Sequence, residues 1–249
     1  MALDPHLVYT GEYTIRTYEI DRHKKATVVS LVKLMQEAAM QNVITMGVSV
    51  WDMEKHKISW VLMRKHLEIN RLPKLGETIK VITHPAGFEK FFTYRDYKVL
   101  DQDDKIIAQS SSTWLLMDTE KRRMARIPDF ILALEPPKTE TYLPRPVGKV
   151  PKIDRVDEQQ DFLVQWHHLD FNEHLSNTYY IQWMLETVDD EVLNNAKLHT
   201  LDLQYKAESL WKDELVAECQ KIDESTFLHK LLRKSDKQEL AIAKSQWTL

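Results

Sequence analysis

Two copies of one α+β unit, each an antiparallel sheet curled around a helix, are what the sequence predicts. Three observations carry this. The order strand, long helix, four strands occurs twice; short segments of the first half align in order over the second; and a proline-rich stretch separates the halves. Residues 134–151, LEPPKTETYLPRPVGKVP, hold five of the nine prolines, a composition that keeps a chain extended and stiff. The expected boundaries are a first domain over residues 1–133, a linker over 134–153 and a second domain over 154–249.

The first copy opens with Tyr13–Ile20, YTIRTYEI, whose alternation reads as a strand. A helix is expected from about Thr27 to Met46, because Leu31, Met35, Ala38, Ala39 and Asn42 recur at three- and four-residue steps, and Gly47 is a suitable stop. Four strands come next at Ile58–Asn70, Glu77–His84, Glu89–Leu100 and Lys105–Met117, with LDQDDK as a hairpin turn between the last two. In the second copy Phe162–Trp166 is a strand. The polar loop HHLDFNEHLS then leads into a helix from about Asn177 to Val192, striped by Tyr180, Ile181, Met184, Leu185 and Val188. Strands are expected at Leu198–Tyr205, Glu214–Ile222, Thr226–Arg233 and Glu239–Leu249. YTIRTYEID, ending at Asp21, lies over FLVQWHHLD, ending at Asp170, and the same offset lays LMQEAA over WMLETV. Near the domain ends AQSSSTW, from Ala108, is set over AKSQWTL, from Ala243.

The composition excludes several classes. A net charge of -4 is not that of a general nucleic-acid binder. One cysteine, Cys219, permits no internal disulfide and suits a reducing compartment, so a cytoplasmic location is expected. No apolar run reaches the length of a membrane span, and the first residues carry no signal-peptide pattern. His167 and His168 are adjacent, which fits neither common zinc spacing, so no metal and no cofactor is expected.

Chemistry concentrates in Asp170-Phe-Asn172-Glu-His174-Leu-Ser176-Asn177, just ahead of a helix. One reading is structural: Ser176 as N-cap, Leu175 and Tyr180 as a hydrophobic staple, Asp170 and Asn172 as turn residues. The other is functional. A helix N-terminus offers unpaired N–H groups that can hold an oxyanion, and histidine moves protons near neutral pH. The first copy serves as a control: it keeps Asp21 but has His23 and Lys25 where the second has Asn172 and His174.

These residues resemble a known family. WHHLDFNEHLSNTYYIQWMLETV is similar to the second-domain signature of the acyl-[acyl carrier protein] thioesterases, W-S-D-L-D-x-N-x-H-V-N-N-x-x-Y-I-x-W-x-L-E, best known from plants. ISWVLMRKHLEINRLPKLGETIKVITHP and SSSTWLLMDTEKRRMARIPD resemble its first domain. The resemblance implies an α+β tandem (double) hotdog, two antiparallel sheets each wrapped around a long helix. It implies hydrolysis of a fatty acyl thioester on acyl carrier protein, ending chain elongation. The family's catalytic glutamate segment falls on QYKAESL, giving Glu208 as base or attacking carboxylate. Asn172 and His174 would position water and substrate, and Asp170 would hold the loop. The family's cysteine position is occupied by Ser209, which argues against a cysteine nucleophile; Ser209 itself stays open in that role. Cys219 reads as a small core residue.

The first domain would hold the acyl chain through Met35, Ala39, Trp60 and Leu62, residues whose other reading is plain core; Asn177 is a further substrate contact. Lys121, Arg122, Arg123 and Arg126 would dock the acidic carrier, or else form a solvated turn. A coenzyme A thioesterase and a non-catalytic acyl-binding protein are rival functions, as is a hotdog dehydratase, whose signature Asp-x-Asn-x-His does not resemble; monomer and homodimer both stay open.

Overall fold

The computed structural model describes residues 5–134 and 143–248. It divides into two compact units, Met1–Arg145 and Pro146–Leu249. Most of the expected linker's first half, residues 135–142, lies outside the described residues. The segment just beyond it is tied down: Leu143 N–H and Arg145 Nη1 both donate to the Asp96 carboxylate, at 2.9 and 2.8 Å.

In the first unit β1 (Tyr9–Thr14), β2 (Ile58–Ile69), β3 (Thr78–Glu89), β4 (Phe92–Leu100) and β5 (Ile106–Asp118) pair antiparallel in the order β1-β3-β4-β5-β2, and a short β6 (Arg123–Ala125) returns along β5. Helix α1 (Val28–Thr45) buries Leu31, Val32, Met35, Ala38 and Asn42. Thr27 caps it, its Oγ1 accepting from Ser30 N–H at 3.0 Å. Two short helices were not expected from sequence, α2 (Val50–Lys55) and α3 (Asp129–Leu132). They close an apolar cluster of Val48, Met53, Ile58, Leu116, Ile127 and Ile131.

The second unit repeats the topology. Strands β7 (Glu158–Leu163), β8 (Lys197–Tyr205), β9 (Glu214–Lys221), β10 (Thr226–Arg233) and β11 (Glu239–Thr248) run in the order β7-β9-β10-β11-β8. Its helix is broken where one helix was expected: α4 (Asn177–Leu185) ends, and α5 (Asp190–Asn195) begins after a turn. Thr187 Oγ1 donates back to Met184 O at 2.7 Å, which competes with continuation of the helix.

The opening strands were misjudged alike in both copies. The ladder covers Tyr9–Thr14 and Glu158–Leu163; Thr17–Glu19, expected to be strand, forms a tight 3-10 turn, and in the second copy Trp166, the last residue expected to be strand, opens the 3-10 turn Trp166–His168. The ladder stops because Ile15 and Val164 turn their backbone groups to the segments ahead of β3 and β9. Ile15 pairs with Gly76 and Glu77, Val164 with Lys212 and Asp213.

One alignment also needs correction. Trp114 Nε1 donates to Ser112 Oγ at 2.8 Å and Trp247 Nε1 to Ser245 Oγ at 3.0 Å. Ala108 pairs with Ile69 as Ala241 pairs with Tyr205. AQSSSTW therefore lies over AIAKSQW from Ala241, two residues away from the expected register.

Candidate active site

The loop before α4 is built by one carboxylate. Asp170 Oδ1 accepts from Asn172 N–H at 2.8 Å and His174 N–H at 3.3 Å, closing a turn whose tip, Glu173, has φ 62°. Burial raises the Asp170 carboxyl above the ordinary carboxylate range, and these two backbone bonds oppose the rise. The loop then meets the segment beyond β8: Leu175 N–H donates to Ser209 O at 2.8 Å and His174 bridges to Leu210. This brings His174 Nε2 to 3.4 Å from Glu208 Oε2, with the side chains 24% and 35% exposed. Two residues thirty-four apart in sequence thus share one half-open site.

Tyrosines fix the helix against the strand end. Tyr180 OH donates to Ala207 O at 3.2 Å, and Tyr205 OH donates to Asn177 O at 3.1 Å. Ser209 is fully buried and its Oγ donates to Asp213 Oδ2 at 2.8 Å, which leaves it a turn-forming residue turned away from solvent. Asp213 also accepts from Leu210 N–H at 2.9 Å and faces Arg233 at 3.5 Å. Cys219 packs with Val188, Val192 and Phe227, and burial pushes its thiol up to about 12.

The helix start departs from expectation. Ser176 occupies the cap position, yet its side chain makes no cap bond to the helix backbone; its Oγ lies 3.2 Å from Thr178 Oγ1. Sequence reasoning weighed His168 only as a metal ligand; its ring packs tilted against Tyr179, with centroids 4.5 Å apart, and edges Trp183 at 5.5 Å. Its position three residues before Phe171 in an aromatic-rich stretch was the only available signal.

The other expected residues are dispersed. Asn172 is exposed on the loop tip. Asn177 opens α4. In the first unit Met35 and Leu62 are buried, Ala39 is half-buried, and Trp60 Nε1 donates to Val48 O at 3.1 Å while packing on the α2 cluster. Lys121, Arg122, Arg123 and Arg126 are exposed around the β5–β6 turn, with Lys121 Nζ 3.6 Å from Asp118.

The equivalent place in the first unit has the same backbone and different side chains. Asp21 Oδ1 accepts from His23 N–H at 2.8 Å and Lys25 N–H at 3.1 Å, Lys24 has φ 59°, and Ala26 N–H donates to Pro73 O at 2.8 Å. This register sets His23, Lys25 and Leu72 where the second unit has Asn172, His174 and Glu208.

A large antiparallel sheet with few helices, repeated in two units, is the architecture of a hotdog-type protein, and a histidine–carboxylate pair lies beside one helix start. Similarity to known proteins narrows this. Residues 6–134 match the acyl-ACP thioesterase N-terminal domain and residues 152–249 its C-terminal domain, so the chain belongs to the acyl-ACP thioesterase family. It is 29% identical to a chloroplastic acyl-[acyl-carrier-protein] hydrolase of Cuphea viscosissima over 97% of this chain, and it spans only 63% of that relative's length. Its fold matches the 12:0-ACP thioesterase of Umbellularia californica with a TM-score of 0.88 at 24% identity, covering 100% of this chain and 99% of that one. An acyl-ACP thioesterase of Bacteroides thetaiotaomicron superposes with a TM-score of 0.84 at 20% identity, over 97% and 98% of the two chains. Among the described residues, no helix is long and apolar enough to cross a membrane.

Proposed function

We propose that this protein hydrolyses fatty acyl thioesters carried on acyl carrier protein, with Glu208 and His174 at the reacting centre. The observation that carries the reading is the 3.4 Å approach of His174 Nε2 to Glu208 Oε2 in a member of this family. Glu208 takes a proton from water as the water oxygen bonds to the thioester carbonyl carbon. The negative charge passes to the carbonyl oxygen. The N-terminal turn of α4, which Ser176 does not cap, supplies N–H groups and the positive end of the helix dipole to hold it. The carbon–sulfur bond then breaks, the carrier thiolate takes up a proton, and a free fatty acid remains. Asn172 orients the water or the carbonyl, and Asp170 keeps the loop in register.

In this reading the chain is a tandem hotdog of two sheets. Residues 1–133 hold the acyl chain along Met35, Ala39, Trp60 and Leu62, 134–153 link, and 154–249 carry out the chemistry with Asn177 touching substrate. Lys121, Arg122, Arg123 and Arg126 steer the acidic carrier, and the cytoplasm is the place of action. Hydrolysis of acyl-carrier and acyl-coenzyme A donors by the wild type, His174→Ala and Glu208→Gln tests it. Loss in both variants with a preference for the carrier donor is expected. A preference for the coenzyme A donor would make coenzyme A the carrier, and a wild-type rate at background would mark a binding protein. In single turnover in heavy-oxygen water, label retained on Glu208 would show direct attack by the carboxylate instead of water activation.

A further inference from the structure

The inner face of the first unit carries buried cations where that of the second has apolar side chains. Strand register sets Lys65, Ser112 and Arg95 side by side on β2, β5 and β4, with Leu67, Ser110 and Tyr97 in the next row. Arg95 Nη1 donates to Asn42 Oδ1 on α1 at 2.7 Å, so these rows face the helix, and Lys65, Arg95, Tyr97, Ser110 and Ser112 are all buried. The matching ladder positions of the second unit are Leu201, Ser245 and Phe227, then Leu203, Ala243 and His229. The same scaffold therefore closes with leucine and phenylalanine where the first copy has lysine and arginine. Folding alone does not call for cations there.

The buried Lys65 ammonium is short of acceptors. An ammonium has three N–H groups to satisfy. Among the described residues Lys65 Nζ meets Ser110 Oγ at 3.3 Å and the face of Tyr97, 4.5 Å from the ring centroid. Ser110 Oγ already donates to His66 O at 2.7 Å. The buried Tyr97 hydroxyl lies near Ser112 and, among the described residues, makes no hydrogen bond of good geometry. Desolvation pushes the Lys65 ammonium down to about 7, with no carboxylate to hold it up. Asp96, next to Tyr97, alternates to the other face and is occupied by Leu143 and Arg145. An ammonium short of acceptors is completed by an acceptor-rich anion; a bare methyl terminus would leave its remaining N–H groups unmatched.

We infer that the interior of the first unit binds an alkyl chain ending in a carboxylate, with Lys65 as its counter-ion and Tyr97 as a second donor. This rests on the proposal that the first unit holds the acyl chain. The carboxylate has two sources, the far end of a dicarboxylic acyl group or the head of a released fatty acid. Binding to the full chain separates the inference from the activity. The monomethyl ester of dodecanedioic acid should bind wild type at least tenfold more tightly than methyl dodecanoate, and Lys65→Met should erase that difference without weakening methyl dodecanoate. Tyr97→Phe should reduce it a few-fold, and serves if Lys65→Met does not fold. Equal binding of the two probes by wild type, binding of neither, or a ratio that survives the substitutions would overturn the inference. Turnover then assigns the source. A preference for the carboxylate-ended acyl carrier thioester that Lys65→Met abolishes points to substrate; carboxylate-dependent binding with no such preference points to released fatty acid. Absence of all hydrolysis would refute the thioesterase proposal while leaving the binding result intact.

Discussion

The loops leading into α1 and α4 have one backbone and two characters. Both turn on an aspartate that accepts two backbone N–H groups, both place a residue with positive φ at the tip, and both hand an N–H to a carbonyl in the segment before the next strand. They differ in what they display and in how the helix begins. The first shows His23 and Lys25 beside Leu72 and caps its helix with Thr27; the second shows Asn172 and His174 beside Glu208 and leaves its helix uncapped by Ser176. A capped helix start has used an N–H that an uncapped one can lend to a developing oxyanion. The pairing of scaffold with difference separates what holds the loop from what could act in it.

Substitutions in matched pairs sharpen this contrast, and the largest effect is on rate. Glu208→Gln or His174→Ala should lower kcat by about 10²- to 10⁴-fold, whereas Lys25→Ala should leave it within about two-fold; steady-state assays on acyl carrier substrates decide, and comparable losses in both loops would erase the distinction. Next come the buried serines beneath the paired tryptophans. Ser245 Oγ serves both Trp247 and His229 Nε2, the latter at 2.8 Å. Ser245→Ala should therefore cost about 2–3 kcal/mol, because it strands the fully buried His229 ring, against about 1 kcal/mol for Ser112→Ala, whose Oγ accepts from Trp114 and donates to Arg95 O; urea denaturation measures both.

Asp170→Asn tests the charge separately from the turn. Because burial raises the Asp170 carboxyl, its ionised form weighs against the folded state above that raised value, and the penalty disappears as pH falls through it. The amide keeps an oxygen for the two N–H groups, so the melting temperature at neutral pH should hold or rise relative to wild type. That advantage should shrink in mild acid. A variant less stable at neutral pH than in acid, relative to wild type, would reverse the sign. The smallest effect concerns the caps: Thr27→Ala should cost about 1 kcal/mol, and Ser176→Ala less than about 0.5 kcal/mol, since only the former makes a cap bond.

Much of this was legible in the chain. Alternating apolar residues placed β2, β4, β5 and β10 to within a few residues, and the three- and four-residue stripe placed α1. The duplication and the Asn-x-His difference between copies were visible without coordinates. The opening strands were displaced because Tyr13–Ile20 alternates as a strand does, while its backbone groups are claimed by Gly76 and Glu77, a pairing that no local pattern announces. The break after α4 was hidden because Val188 continues the apolar stripe across the turn and is itself buried. In the site, Asp170 and His174 could be read from one short segment. The neighbourhood of Glu208 came from resemblance alone, since the contact is made by the return of a strand end. The polar interior around Lys65 left no sequence signal: a lysine in the alternating run ISWVLMRKHLEI reads as an outward residue, and the irregularity of register between Leu62 and Arg64 turns it inward.

Because the aspartate turn is held through main-chain N–H groups, the residues it presents are free to change without disturbing it. Such a loop behaves as a socket whose plug can be exchanged: chemistry can be gained or erased by a handful of outward replacements, with the surrounding architecture unaffected. A chain that carries this unit twice can vary the displayed residues of one copy while those of the other stay fixed.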